Sequence, residues 1–77
     1  MVTELVAFLA ASLVAEPELL ELSTRESSRG LSIEIRCAEG DAGRLIGRGG
    51  RTINSIRTLA RAASEGQEHV EVHLLDA

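Results

Sequence analysis

Three runs of strictly alternating residues constrain the fold of this chain more than any other feature. In each run, side chains that can be buried stand at every second position. The three runs are Leu20, Leu22 and Thr24; Leu31, Ile33, Ile35 and Cys37; and Val70, Val72 and Leu74. A period of two is typical of a β-strand with one buried face and one exposed face. The segment ESSRG, residues 26–30, predicts a turn that pairs the first two strands as a hairpin. The same alternation predicts that Cys37 points inward.

The first segment has the period of a helix instead. We expect a helix from Val2 to about Ala15, with Thr3 as its N-cap and Pro17 ending it. The residues expected to face the core are Leu5, Phe8 or Leu9, and Leu13. Because Glu4 interrupts this apolar segment, which lacks a basic start and is shorter than the roughly 20 residues that span a bilayer, we predict neither a signal peptide nor a membrane span.

Two further helices are predicted in the second half of the chain. Asp41 is a candidate N-cap for a short helix that glycines interrupt. A longer helix is expected from about Gly50 to Ser64, closed by Gly66. Its apolar stripe consists of Ile53, Ile56, Ala60 and Ala63. The resulting order is helix, strand, strand, helix, helix, strand, which predicts an α+β fold with three helices on one face of a three-stranded sheet.

Length and composition limit the size of the fold. The chain has 77 residues, so we expect one domain, residues 1–77. Phe8 is the single aromatic residue, and the core must therefore be aliphatic. Cys37 is the lone cysteine and can form no internal disulfide, which favours a reducing compartment and hence the cytoplasm.

Positive charge is concentrated in one part of this acidic chain. The formal net charge is −4, which by itself disfavours a polyanionic partner. Residues 42–64, however, contain five arginines and no acid, so that segment carries +5 and the rest of the chain −9. The uneven distribution predicts one basic face.

The same basic segment contains a glycine-rich loop, RLIGRGGRTI, at residues 44–53. A P-loop is excluded because the chain has no lysine. The dinucleotide fingerprint GxGxxG is excluded because Thr52 stands where its third glycine would be, and no strand leads directly into the loop. Two interpretations remain, a phosphate-binding IGxxGxxI motif at Ile46 to Ile53 or a tight connection between two helices.

The motif and the order of elements together resemble a KH domain of type II. With nothing beyond the domain, the chain is similar to the small bacterial single-KH proteins of the KhpA type. This resemblance implies a type II KH fold with a mixed sheet, and single-stranded RNA as the partner, gripped over about four nucleotides by the loop. It also implies that bases lie in an aliphatic groove, so the lack of aromatic side chains does not count against RNA.

Glycines in this loop let the backbone turn sharply, and the helix that follows directs free N–H groups and a positive dipole outward. We therefore predict RNA contacts at Arg44, Ile46, Gly47, Arg48, Gly49, Gly50, Arg51 and Ile53, with Arg36 and Arg57 as additional candidates. In this hypothesis the arginines neutralise phosphates, while Ile46 and Ile53 anchor the two ends of the loop in the core. Arg57 and Arg61 form a like-charge pair on one helix, which an opposing anion or an acid from another element would stabilise.

The resemblance further implies an RNA chaperone acting with a KH-containing partner of the KhpB (Jag) type in cell-shape and cell-wall control. A rival hypothesis is a protein-interaction domain. From Val2 to Ala15 only Thr3, Glu4 and Ser12 are polar, which leaves more apolar surface than one core-facing stripe needs. That surface would support a homodimer or heterodimer, unless its alanines are simply good helix formers facing solvent.

No enzymatic, cofactor or small-molecule site is predicted. His69 and His73 share one face of the last strand, but positions four apart in a strand are separated by about 13 Å, too far for a shared metal ion. The acids are spread along strands and termini, and no nucleophile has a base at a suggestive spacing. We therefore expect a binding protein without a cofactor or a membrane partner.

Overall fold

The computed structural model describes residues 1–75 and confirms the predicted order of elements. They are α1 (Val2–Leu13), β1 (Glu21–Ser27), β2 (Gly30–Arg36), α2 (Ala42–Ile46), α3 (Arg51–Ala63) and β3 (His69–Leu74). Short 3₁₀ turns lie at Pro17–Leu19 and Arg48–Gly50. The hairpin turn is tighter than expected, because Glu26 and Ser27 continue β1 and leave two residues between the strands.

The sheet has the order β1-β2-β3 and is mixed. β1 and β2 are antiparallel, with Leu22 opposite Ile35, whereas β2 and β3 are parallel, with Ile33 opposite Val72. A parallel pair needs a crossover connection, and α2 and α3 provide it. As a result β3 is an edge strand that follows directly after α3.

One face of the sheet carries the core. Ile33, Ile35, Val70 and Val72 are fully buried or nearly so, and the residues that alternate with them form a polar open face. The predicted alternation is thus confirmed for β2 and β3, whereas in β1 Leu22 is half-buried and Thr24 is exposed. Cys37 also points inward and is partly buried against the core, where burial, and secondarily the charge of Asp41, raises the pKa of its thiol.

The core-facing stripe predicted for α1 is wrong except at Leu9, which is partly buried against the core. Val2, Val6, Ala10 and Val14 are the buried residues, while Phe8 is 68 % exposed and Leu13 39 % exposed. Both stripes have helical spacing, and a helix that is apolar nearly all round does not reveal from its sequence which stripe packs inward. The helix also begins with Met1 at the N-cap position, without a side-chain cap from Thr3, and ends at Leu13.

The stripe predicted for α3 is confirmed. Ile53, Ile56 and Ala60 are buried, and Ala63 is partly buried against the same core. Here most of the remaining positions are polar, and Leu59 is the one large apolar side chain of α3 outside the stripe, so the polar residues themselves define the core-facing side. No helix within residues 1–75 is long and apolar enough to cross a membrane.

Candidate nucleic-acid interface

The glycine loop folds tightly onto the start of α3. Gly47 has φ 75° and ψ 173°, and a Cβ at this position would lie 2.7 Å from the Cβ and 2.9 Å from the backbone nitrogen of Thr52. Both the backbone conformation and the close approach to Thr52 require glycine. Gly47 therefore fixes where the loop leaves α2.

The middle of the loop points away from the protein. Arg48 and Gly49 are exposed, and a Cβ on Gly49 would have no neighbour within 4 Å. Gly49 and Gly50 have left-handed φ values of 66° and 79°, and the N–H of Gly50 donates to the carbonyl of Gly47 at 3.2 Å. The loop thus presents one arginine and bare backbone to solvent.

The N-terminus of α3 opens at the end of this loop. Gly50 is its N-cap residue, and within residues 1–75 no side chain hydrogen-bonds to the N–H groups of the first turn, of which that of Arg51 donates to the carbonyl of Arg48. These N–H groups carry the positive end of the helix dipole, which favours an anion. Arg51, the first residue of α3, is exposed beside them. The arrangement is suited to a phosphate group.

Arg44 lies on the α2 side of the loop and is held by an acid. Its Nε is 3.3 Å from Oδ1 of Asp41, a carboxylate that is almost completely buried. Asp41 occupies the predicted N-cap position of α2 but forms no cap hydrogen bond there; instead it accepts from the N–H groups of Ala15 and Glu16 at 3.0 and 3.1 Å. Asp41 therefore ties the chain after α1 to α2 and orients the Arg44 side chain.

The prediction that two isoleucines anchor the loop is half right. Ile53 is 6 % exposed and lies in the core, whereas Ile46 is 41 % exposed. Leu45, fully buried, is the anchor on the α2 side. Successive residues of a helix point about 100° apart, so Leu45 and Ile46 cannot both face the core. Ile46 is an exposed apolar side chain next to the loop.

Arg57 and Arg61 have partners that the sequence does not reveal. Nε of Arg57 donates to the carbonyl of Val72 at 3.0 Å, and its Nη1 donates to Oδ1 of Asn54 at 2.9 Å. Nε of Arg61 donates to the carbonyl of Val70 at 3.2 Å. None of these three acceptors belongs to an acid. Backbone carbonyls of β3, rather than a carboxylate, therefore offset the repulsion between the two arginines.

A groove of about 380 Å³ runs between α3 and β3. It is lined by Asn54, Arg57, Arg61, Glu71, Val72 and His73. This lining is mainly polar, with Val72 as its aliphatic member, so the groove is more polar than the aliphatic groove that the resemblance implies. The predicted site omits Asn54, because nothing local in the sequence indicates that α3 packs beside β3.

Arg36 stands apart from these groups. It lies at the end of β2 opposite Glu21, and the alternation along β2 places its exposed side chain on the open face of the sheet. The helices and the glycine loop are on the other face. The structure therefore leaves Arg36 separate from the loop residues and Arg44, while Arg57 lies farther along α3 and is bonded to β3.

The two histidines of β3 share a carboxylate. Nε2 of His73 is 3.1 Å and Nε2 of His69 is 3.2 Å from the oxygens of Glu71. These hydrogen bonds, that of His73 first, hold the pKa of Glu71 below its ordinary value. Among residues 1–75 no three histidine, cysteine or acidic side chains are arranged to hold a metal ion.

The family model and the individual relatives that match this chain belong to the same group of proteins. A family described as "KhpA/KhpB, KH domain" matches residues 3–74. The RNA-binding protein KhpA of Borreliella burgdorferi is 35 % identical over 95 % of this chain and 90 % of that protein. The RNA-binding protein KhpA of Chlamydia trachomatis is 35 % identical over 92 % and 90 %, and that of Streptomyces coelicolor is 34 % identical over 99 % and 94 %.

Proposed function

Because the chain belongs to the KhpA/KhpB family of KH domains, we propose that it binds single-stranded RNA through the glycine loop at Gly47–Gly50. The observation that carries the proposal is the exposed Arg48 and Gly49 backbone beside the uncapped N-terminus of α3. The family is not an enzyme family, which agrees with the expectation of a binding protein.

In this proposal the loop holds the RNA backbone and the neighbouring surfaces contact bases. Arg48 and Arg51 neutralise phosphates next to the N–H groups of α3, and Arg44 contributes a third positive charge from α2. Ile46, exposed at the edge of the loop, offers an apolar contact to a base. In KH domains such a loop holds about four nucleotides of an unpaired strand, whose bases can be splayed out.

We expect binding to single-stranded RNA to weaken steeply as salt rises. Three arginine contacts release counterions with a slope of about −0.7 per phosphate, or about −2 in total, in a plot of log affinity against log salt. Fluorescence anisotropy titrations of a labelled RNA octamer at several salt concentrations measure this slope. Arg51→Ala should make the slope shallower by about 0.7, while a salt-independent affinity, or a preference for duplex RNA, would contradict the loop-clamp mechanism.

The proposal extends to a role as an RNA chaperone in the cytoplasm. The matched family groups KhpA and KhpB domains together, which supports a KH-containing protein of the KhpB (Jag) type as the partner. Through that partner the protein would act in gene expression, cell shape and cell-wall formation. RNA crosslinking followed by sequencing, repeated in cells that lack the partner, tests whether the two proteins share RNA targets.

The second candidate function is a protein-interaction domain, and α1 favours it. Phe8 and Leu13 of α1 and Leu19 of the following 3₁₀ turn are 68 %, 39 % and 52 % exposed, so this part of the chain has apolar side chains that face away from the core. A homodimer or a heterodimer with a KH partner would bury these side chains. Such an interface is compatible with RNA binding, since the glycine loop belongs to a different part of the chain, between α2 and α3.

We expect the protein to self-associate through this surface. Sedimentation over a concentration series should show a monomer–dimer equilibrium, and Phe8→Ser should shift it toward the monomer because it removes the most exposed apolar side chain of α1. A strict monomer that also captures no KH partner from an extract would remove the rival function together with this prediction.

A further inference from the structure

The outer edge of β3 is half occupied by side chains of α3. In a parallel pair, successive residues point their backbone groups alternately toward and away from the neighbouring strand. The N–H of Leu75 donates to the carbonyl of Ile35 at 2.9 Å, so the odd-numbered residues of β3 face β2. The N–H and C=O groups of Val70 and Val72 therefore face outward.

Three residues of β3 face outward, Val70, Val72 and Leu74, and the carbonyls of the two valines already have a donor. Arg61 donates to the carbonyl of Val70, and Arg57 to that of Val72, at 3.2 and 3.0 Å. The amide N–H groups of the same two valines have no acceptor within residues 1–75. An uncovered strand edge offers donors and acceptors alternately, but at Val70 and Val72 this edge offers only its N–H donors.

The side chains around this edge add donors and few free acceptors. Oδ1 of Asn54 accepts from Arg57, and both carboxylate oxygens of Glu71 are engaged by His69 and His73. The remaining guanidinium N–H groups of Arg57 and Arg61 are additional donors. The groove between α3 and β3 is therefore rich in donors where Arg57 and Arg61 cover the edge of β3.

Asn54 connects this groove with the glycine loop. Its Nδ2 lies 3.8 Å from where a Cβ of Gly50 would be, and its Oδ1 bonds to Arg57 in the groove. A strand of RNA gripped at Gly47–Gly50 would thus place its next bases beside Arg57 and the edge of β3.

We propose that the α3–β3 groove selects RNA bases by their hydrogen-bond acceptors and discriminates against adenine, and that Arg57 determines this preference. The inference rests on the proposed RNA binding. Cytosine presents two adjacent acceptors on its Watson–Crick edge, and guanine presents two on its Hoogsteen edge. On each of these two edges adenine has only one acceptor, and its amino group stands where the second acceptor would be. An N–H donor of the groove would then face the amino donor of adenine, and both would stay unpaired.

The test compares RNA octamers that differ in one functional group. Oligomers of adenosine and of purine riboside have the same ring system, but purine riboside lacks the amino group. The wild-type protein should bind the purine oligomer about fivefold more tightly than the adenosine oligomer, the ratio expected for relieving one unpaired donor. Cytidine octamers should also bind more tightly than adenosine octamers.

Arg57→Ala should reduce this ratio toward one, because it frees the carbonyl of Val72 to accept the adenine amino group. Arg51→Ala is the matched control, since it removes the same charge without uncovering β3 and should weaken all octamers equally. Should Arg57→Ala fail to fold, Arg61→Ala tests the same effect at Val70, and the wild-type ratio is independent of both variants.

The outcomes separate this inference from the proposed function. Equal binding of adenosine and purine octamers by the wild-type protein would overturn the base preference and leave RNA binding intact. A ratio that folded Arg57→Ala leaves unchanged, or that Arg61→Ala leaves unchanged where Arg57→Ala does not fold, would do the same. Failure to bind any octamer, with the protein folded, would overturn the proposed function itself and the preference with it.

Discussion

Replacing Arg48 and Gly49 together with aspartate is expected to abolish RNA binding while leaving the protein folded. The change puts two carboxylates at the exposed middle of the glycine loop, where the proposal places a phosphate. An attractive guanidinium is replaced by like-charge repulsion, and the negative charges also occupy the positive end of the α3 dipole. Loss of phosphate contacts removes the main source of affinity for a single strand.

The fold should tolerate this double substitution because neither side chain has a tight environment. Arg48 is exposed, and a Cβ on Gly49 meets nothing within 4 Å. Gly49 has φ 66° and ψ 19°, a left-handed conformation that aspartate adopts more readily than most residues. We expect a cost of about 1–2 kcal/mol from that backbone position, which circular dichroism and thermal melting would measure.

Arg29→Asp with Gly40→Asp is the matched control. It changes the charge by the same amount, and Gly40 also has a positive φ, with space for a Cβ that would have no neighbour within 4 Å. Both positions are exposed and lie outside the glycine loop. The control should retain most of its RNA affinity. If the folded Arg48→Asp/Gly49→Asp protein binds RNA as tightly as wild type, the loop is only a connection between helices.

The strands and α3 can be predicted from sequence because their patterns contain enough polar residues to define a face. Val70 and Val72 alternate with charged or titratable neighbours, and the resulting burial follows directly. α1 lacks that information, since its alanines, valines and leucines could face either side. Large apolar residues are usually buried, which favours Phe8 as a core residue, but tertiary packing buries the smaller Val6 and Ala10 instead.

The candidate site likewise has a part that the sequence predicts and a part that it does not. The glycine loop is predictable because its chemistry depends on local spacing, from Gly47 to Gly50. Contacts between segments that are distant in the sequence cannot be predicted from local spacing. Asp41 binds N–H groups 25 and 26 residues away, and Arg57 binds a carbonyl 15 residues away. The sequence without the fold shows the donor or acceptor but not its partner.

The contact between Gly47 and Thr52 leads to the second large expected effect, on stability. Gly47→Ala should destabilise the protein by about 3 kcal/mol or more, from backbone strain and overpacking together. The added Cβ would lie 2.7 Å from the Cβ of Thr52 and 2.9 Å from its backbone nitrogen, and neither atom can move without shifting the start of α3. Total stability of a chain this short is on the order of 4–12 kcal/mol, so the loss is a large fraction of it.

Gly49→Ala separates strain from crowding in this experiment. Both glycines have positive φ values, 75° and 66°, but only the Gly47 position brings a new Cβ against another residue. We expect Gly49→Ala to cost about 1–2 kcal/mol, and Gly47→Ala to lower Tm by on the order of 15 °C relative to wild type. Thermal melting followed by circular dichroism measures both. Equal Tm values for the two variants would mean that the loop can move away from Thr52, and that the close contact does not hold the glycine loop in place.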